Sequence, residues 1–143
     1  MKRIKRWIGA LVGLMLLTLT SCADQDIPAN AKDFIKQYFP GTTVVLVEID
    51  DDDDDSEMEY CVWLNDGTKV EFDMQGEWER VGRKKTGVPA KLIPPAITQY
   101  VKANYPNDVV SKLSRKSYGY KIELTNDKDL RFNAQGQFIE VID

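Results

Sequence analysis

The sequence predicts an α+β fold in which two tandem modules, each a helix followed by four antiparallel strands, form one continuous sheet with both helices on one face. Three observations lead to this prediction. The chain repeats itself, each copy opens with apolar residues at helical spacing, and each copy continues with segments in which apolar and polar residues alternate. A helix followed by such strands buries its apolar stripe against the sheet.

The internal repeat has two offsets. In the helical part Ile27-Pro28 recurs at Ile93-Pro94, an offset of 66 residues. In the strand part the offset is 60, with Tyr60 matching Tyr120, Phe72 matching Phe132 and Trp78 matching Phe138. The first copy is therefore longer in its middle. These matches divide the chain into a signal peptide (1–21), a tether (22–26), a first repeat (27–82), a linker (83–91) and a second repeat (92–143).

The first 21 residues have the features of a secretory signal. Basic residues precede the apolar run 7–19, which is shorter than the roughly 20 residues that span a bilayer. Leu19-Thr20-Ser21-Cys22 closely resembles the lipobox of bacterial lipoproteins, in which the Cys sulfur is acylated and the chain is cut just before it. We therefore expect lipidated Cys22 to hold the mature protein on a membrane of the cell envelope, periplasmic or cell-surface, with the outer membrane favoured. An ordinary cleaved signal or an uncleaved anchor is the alternative.

Each copy is predicted to open with a helix. Pro28 and Pro94 suit the first helical turn, where the missing N–H is not needed, and Pro40 and Pro106 end the helices. The apolar stripes of the two helices contain Ala31, Phe34, Ile35, Tyr38 and Phe39 in the first copy, and Ile97, Tyr100, Val101 and Tyr105 in the second.

After each helix the apolar period becomes two. It predicts strands at 43–50, 58–65, 68–74 and 77–82 in the first copy, and at 108–115, 117–125, 128–134 and 137–142 in the second. Asn65-Asp66-Gly67 is a hairpin signal between two of them. The segment that contains Arg83-Lys84-Lys85 links the copies.

A family resemblance rests on these same residues. Ile-Pro and Phe-Pro pairs bracket the first helix, and the run from Gly67 to Trp78 contains a Phe-Asp-x-x-Gly-x-Trp element. This pattern resembles the PepSY-like lipoproteins of Bacteroidetes, which are also called beta-lactamase-inhibitor-like. The resemblance covers most of residues 27–142. In the second copy Asn133 and Phe138 replace the Asp and the Trp. The resemblance implies a non-catalytic, extracytoplasmic module that binds or inhibits another protein, and it names no ligand.

Composition excludes several functional classes. The chain has no histidine, which rules out histidine-based triads and His-ligated metals, and it has no glycine-rich phosphate loop. We therefore expect neither an enzyme nor a bound cofactor. Removal of residues 1–21 takes away four basic residues, so the net charge goes from -4 to -8, which disfavours nucleic acid as a partner. With Cys22 acylated, Cys61 is the remaining thiol and no internal disulfide forms.

The acidic run at 48–59 occupies the extra length of the first copy. Asp50, Asp52 and Asp54 are weak candidates for a calcium site, because hard cations prefer clustered carboxylates. An EF-hand loop that began at Asp50 would need Gly at position 55 and Glu at position 61, where the chain has Asp55 and Cys61. A solvated acidic loop is the favoured interpretation. A cation-responsive or structural envelope protein that acts through this loop is the alternative function.

The repeat provides an internal comparison for the sheet face turned away from the helices. Cys61 and Trp63 match Lys121 and Glu123, so two apolar residues occupy a surface that is charged in the second copy. An exposed Trp is a typical protein-binding residue. The alternative is that a loop covers Trp63 or that it is a lone surface aromatic. Trp78 matches Phe138 and is predicted to lie in the core.

The leading functional hypothesis is a membrane-tethered binding module. Its open sheet face is expected to dock an unidentified envelope protein or peptide, with Trp63 near its centre and the other partner-binding residues around it, namely Cys61, Glu71, Lys121, Glu123 and Arg131.

Overall fold

The computed structural model describes residues 26–50 and 58–142 of the chain. Its first half contains helix α1 (Ala29–Tyr38) and strands β1 (Val44–Asp50), β2 (Glu59–Leu64), β3 (Lys69–Asp73) and β4 (Trp78–Gly82). A short 3-10 helix (Ala90–Leu92) follows. The second half contains helix α2 (Pro95–Asn104) and strands β5 (Val110–Lys116), β6 (Gly119–Leu124), β7 (Asp129–Asn133) and β8 (Phe138–Ile142).

The strands form one open sheet of eight, in the order β1-β2-β3-β4-β5-β6-β7-β8, and each strand is antiparallel to its neighbours. The predicted α+β class is therefore confirmed. Each of the eight predicted strands is present, with its ends displaced by no more than two residues.

The helices begin one residue later than the sequence suggested. Pro28 and Pro94 precede the first helical residue instead of lying within the first turn. Their φ angles of -55° and -51° still prepare the chain for the helix, and their ψ angles of 150° and 134° set the direction from which it enters. Both helices end just before an aromatic-Pro pair, as expected.

One face of the sheet carries the core. Cross-strand pairing aligns a row of fully buried aliphatic side chains across six strands, namely Val62, Val70, Val81, Leu113, Ile122 and Leu130. Phe34 of α1 packs edge-on against Phe72, with ring centroids 5.5 Å apart, and Tyr100 of α2 packs in the same manner against Phe132 at 5.4 Å. These residues belong to one apolar cluster.

The turn between β3 and β4 contacts the start of α1. Gly76 has a φ of +82°, and a Cβ built there would lie 2.2 Å from Oδ1 of Asn30. Asn30 donates a hydrogen bond of 2.9 Å to the carbonyl of Gln75. Position 76 therefore requires glycine for both its backbone conformation and its close packing.

The segment between the two halves is bound to the sheet. The N–H of Arg83 donates to the carbonyl of Ser111 at 2.8 Å, and the N–H of Val88 donates to the carbonyl of Val110 at the same distance. Val88 is buried in the core. No helix within the described ranges is long and apolar enough to cross a membrane.

Candidate functional site

The sheet face opposite the core is polar, and two rows of side chains cross it. The first row consists of Leu46, Trp63, Lys69, Gly82, Lys112, Glu123 and Asp129. The second row consists of Glu48, Cys61, Glu71, Arg80, Ser114, Lys121, Arg131 and Glu140. We call this surface the polar face. All six residues predicted to bind a partner lie in these rows, and the binding roles of Trp63, Lys121, Glu123 and Arg131 stay predictions.

The structure divides these six residues into two groups. The first group lies on β2 and β3 and consists of Trp63, Cys61 and Glu71. The second group lies on β6 and β7 and consists of Lys121, Glu123 and Arg131. Trp63 lies on β2, one strand from the edge, and Arg131 lies on β7. Five strand spacings of about 4.8 Å separate them, roughly 24 Å in all. The expectation that Trp63 lies near the centre of this face is therefore wrong, because the centre of an eight-stranded meander falls between β4 and β5.

Trp63 is half-buried and has neighbours of two kinds. The ammonium group of Lys69 lies 4.9 Å from the centroid of the indole ring, a cation–π contact. On β1, Leu46 lies opposite Trp63 and is 44% exposed. Trp63 and Leu46 thus form an apolar strip beside a cation at one side of the polar face.

Cys61 and Glu71 are too deeply buried to contact a partner as the sequence suggested. Cys61 is 3% exposed and Glu71 is 5% exposed. Burial also raises the pKa of the Cys61 thiol, although nearby Lys69 opposes the effect. The prediction that these two residues contact a partner directly is wrong, because almost none of either side chain is exposed to solvent.

Glu71 instead organises the cations around it. Its carboxylate lies 2.8 Å from Nζ of Lys69 and 2.6 Å from a guanidinium nitrogen of Arg80. Burial acts to lower the pKa of Lys69, but the Glu71 carboxylate outweighs this effect and raises it. A buried carboxylate shared by two partly exposed cations fixes the cations' positions and leaves their outer surfaces available.

The second group forms ion pairs across the strands. These pairs are half-exposed, and such pairs contribute about 0–1 kcal/mol each, so a partner can replace one member at little cost. They are Lys112 with Glu123 at 2.7 Å, Lys121 with Asp129 at 2.6 Å, and Arg131 with Glu140 at 2.8 Å.

Between the two groups, over β3, β4 and β5, lies a hollow of about 320 Å³. Gly82 forms part of its floor. A Cβ added at Gly82 would meet nothing within 4 Å, and its φ is not positive, so neither packing nor conformation requires glycine there. The hollow is rich in cations, with Lys69, Arg80, Lys84 and Lys112 around Glu71 and Glu123.

Alternation of apolar and polar residues along each strand does not reveal this hollow. The available signal was Gly82 itself, because the corresponding residue of the second copy is Ile142. Gly82 is paired on both sides, with Lys69 and Lys112, and a glycine within a sheet often marks the close approach of a ligand or another backbone.

The alternation also does not reveal a pair of carboxyl groups, Glu59 and Glu79. Burial, together with a hydrogen bond to Glu79 and the charge of that residue, raises the pKa of Glu59 from 4.5 to about 7. Glu79 is the extra residue of a bulge, since Arg80 pairs with Glu71 and Trp78 with Phe72. Bulges re-aim side chains, which explains why alternation along the strand did not place Glu79 next to Glu59.

The proposed cation ligands are only partly placed. Asp50 is exposed at the end of β1, whereas Asp52 and Asp54 lie outside the described residues, as does Cys22. Within residues 26–50 and 58–142, no three His, Cys, Asp or Glu side chains are grouped so as to hold a metal ion.

Comparison with known proteins gives one family and several structures. Residues 58–140 match a family described as "Putative beta-lactamase-inhibitor-like, PepSY-like". A "putative calcium-regulated periplasmic protein" of Bacteroides thetaiotaomicron is 37% identical, with a TM-score of 0.74 over 82% of this chain and 91% of that one. A periplasmic protein of unknown function from Bacteroides vulgatus is 34% identical, with a TM-score of 0.77 over 82% and 93% of the two chains. Another from the same species is 32% identical, with a TM-score of 0.71 over 82% and 91%. No curated protein matches the chain.

Proposed function

This chain belongs to the PepSY-like, beta-lactamase-inhibitor-like family, and we propose that it is a non-catalytic binding module of the cell envelope. In this proposal lipidated Cys22 holds it on the outer membrane, and the polar face docks a protein or peptide. The periplasmic relatives support an extracytoplasmic site of action.

The proposal includes an origin by duplication, with both helices on the same side of the sheet. The support for it is that side-chain contacts, as well as sequence, recur between the two halves of the chain. Phe34 packs edge-on against Phe72 as Tyr100 packs against Phe132, with interplanar angles of 88° and 82°. Alternation along the strands and the unbroken cross-strand row of buried aliphatic residues favour a single helix-covered face.

The observation that carries the proposal is the hollow at Gly82 with Trp63 beside it. A partner's side chain can reach the sheet backbone there, while Lys69 and Arg80 border the opening. Aromatic and Arg side chains around a pocket are the residue types that dominate binding energy in protein interfaces. The hollow is lined by Arg80 and by one exposed ion pair, Lys112 with Glu123, and Trp63 lies opposite Lys69 at its margin.

Trp63→Glu tests the aromatic part of the proposal, and it introduces the residue that the second copy has at Glu123. We expect an unchanged melting curve, because Trp63 is only half-buried. We expect recovery of the partner from an envelope extract to fall, with affinity about thirtyfold weaker, corresponding to a contribution of roughly 2 kcal/mol. Ile139→Glu, an exposed apolar residue of β8, is the matched control. Equal recovery with a stable Trp63→Glu variant would eliminate Trp63 as a binding residue.

Gly82→Ile tests the hollow, and it introduces the residue that the second copy has at Ile142. Since a Cβ at position 82 meets no other atom within 4 Å, we expect the free energy of unfolding to change by less than about 0.5 kcal/mol. Binding should fall at least tenfold because the added side chain fills the opening. An unchanged affinity would show that the partner does not enter the hollow.

A cation-responsive envelope protein acting through the loop at 48–59 is the second candidate. The calcium-regulated description of the 37% identical relative from Bacteroides thetaiotaomicron favours it. If Asp50 and its neighbours bind calcium, the melting temperature should rise with calcium concentration. Deletion of residues 50–55 should abolish that rise. A melting temperature that is indifferent to calcium would remove this candidate.

A further inference from the structure

Strand β1, at one edge of the sheet, exposes several aliphatic side chains. Val45, Leu46 and Ile49 are 56%, 44% and 52% exposed. Within the described part of the chain, β2 is the only strand beside β1. A strand with an open edge and exposed aliphatic residues is a template for pairing with another strand.

Strand β5 in the second half of the chain is equivalent to β1, but its outer edge is paired with another strand. β5 precedes β6 as β1 precedes β2, and the registers agree, since Val44 lies opposite Leu64 as Val110 lies opposite Leu124. Both pairings have an irregularity immediately afterwards. The outer edge of β5, however, is occupied by β4.

The pairing of β4 with β5 shows what such an edge accepts. Val81 lies opposite Leu113, and both side chains are fully buried. Arg80 lies opposite Ser114 on the polar face, with its Nε 3.3 Å from the Ser114 hydroxyl oxygen. The covering strand thus contributes an aliphatic residue to the core face and a cation to the polar face.

We propose that the outer edge of β1 binds an extended, antiparallel segment of another protein, with an aliphatic side chain opposite Val47 and a cationic side chain opposite Glu48. In the shared register Val47 has the place of Leu113, and Glu48 has the place of Ser114. Glu48 is exposed and forms no ion pair within the described ranges, and Asp50 adds negative charge further along the same face. The edge therefore favours a basic strand.

Charge disfavours a second copy of the chain as the occupant. β8 has the place in the second half that β4 has in the first, since Glu140 lies opposite Arg131 as Arg80 lies opposite Glu71. Pairing β8 of one copy with β1 of the next in the β4–β5 register would put Glu140 opposite Glu48. Like charges directly opposite each other destabilise a strand pair.

The test uses the β4 sequence as its probe. A fluorescent peptide of residues 77–83, which contains Arg80-Val81-Gly82, is titrated with the chain from residue 23, which keeps every described residue. A second peptide carries Arg80→Glu. We expect the wild-type protein to bind the first peptide at least tenfold more tightly, as measured by fluorescence anisotropy.

Charge reversal on the protein completes the test. Glu48→Lys should reverse the preference between the two peptides, whereas Asp33→Lys, the same change at an exposed position of α1, should leave it unchanged. Melting curves confirm that both variants fold. The proposal is overturned if neither peptide binds at millimolar concentration, if Glu48→Lys does not change the preference, or if sedimentation shows that β1 is already covered in a dimer.

Discussion

The carboxyl pair of Glu59 and Glu79 predicts an unusual dependence of stability on pH. Glu59 has a pKa of about 7 in the folded protein, raised from 4.5 by burial and by the hydrogen bond and charge of Glu79. Between these pH values the folded state retains a proton that the unfolded state releases. The contribution of this group therefore lowers the free energy of unfolding as pH rises from about 4.5 to about 7. Glu59→Gln imitates the protonated carboxyl and should remove the decline.

The pKa change sets an upper limit on the effect. A rise from 4.5 to about 7 corresponds to at most about 3 kcal/mol. Glu59 is only partly buried, so solvent screening reduces the expected gain to about 1 kcal/mol. At pH 8 the Glu59→Gln variant should thus be about 1 kcal/mol more stable than wild type, or roughly 4 °C in melting temperature. At pH 4.5 the two proteins should be nearly equal.

Urea denaturation of both proteins between pH 4.5 and 8.5 measures this difference directly. Glu48→Gln is the control, because it removes an exposed carboxylate from the adjacent strand and should retain the wild-type decline. Glu79→Gln should make the decline smaller without removing it, since it takes away the partner charge but leaves Glu59 ionisable and partly buried. If the curve for Glu59→Gln runs parallel to that of wild type over the whole range, the proposed raised pKa of Glu59 is wrong.

Three further predictions concern the core, one turn and the membrane attachment. Phe72→Ala and Phe132→Ala should each cost roughly 3–5 kcal/mol in urea denaturation, because both side chains are fully buried, and a cost below about 1 kcal/mol would contradict the placement of that strand. Gly76→Ala should lower the free energy of unfolding more than Gly41→Ala does in the same assay. Both glycines have a positive φ, but of the two only Gly76 is placed so that a Cβ would collide with neighbouring atoms. Equal losses of stability would contradict this close contact. Cys22→Ser should abolish metabolic labelling with a fatty acid, and a wild-type protein without label would refute lipidation.

The sequence was sufficient for the order, type and approximate ends of the elements. Alternation of apolar and polar residues has period two in a strand, so it reports which residues share a face without any knowledge of the neighbouring strands. The match between Trp63 and Glu123 placed both on the face opposite the core for this reason, and the pairing with Lys69 and Lys112 agrees with that placement.

Burial on the polar face, in contrast, was decided by tertiary structure. Alternation put Cys61 and Glu71 on a face that was expected to be open, but both residues are buried there, and Lys69 and Arg80 form ion pairs with Glu71. The position of Trp63 near the edge follows from the order of the strands, which a pattern within one strand does not contain.

The sequence by itself determined the repeated helix and strand pattern and, outside the bulges, the face on which strand residues lie, because these depend on periodicities within short segments. Only the tertiary structure determined the hollow at Gly82 and the carboxyl pair of Glu59 and Glu79. Both depend on register between strands and, for Glu79, on a bulge. Register brings together residues that are distant in the chain, such as Glu59 and Glu79 or Gly82 and Lys112, and a one-residue shift changes every such neighbour.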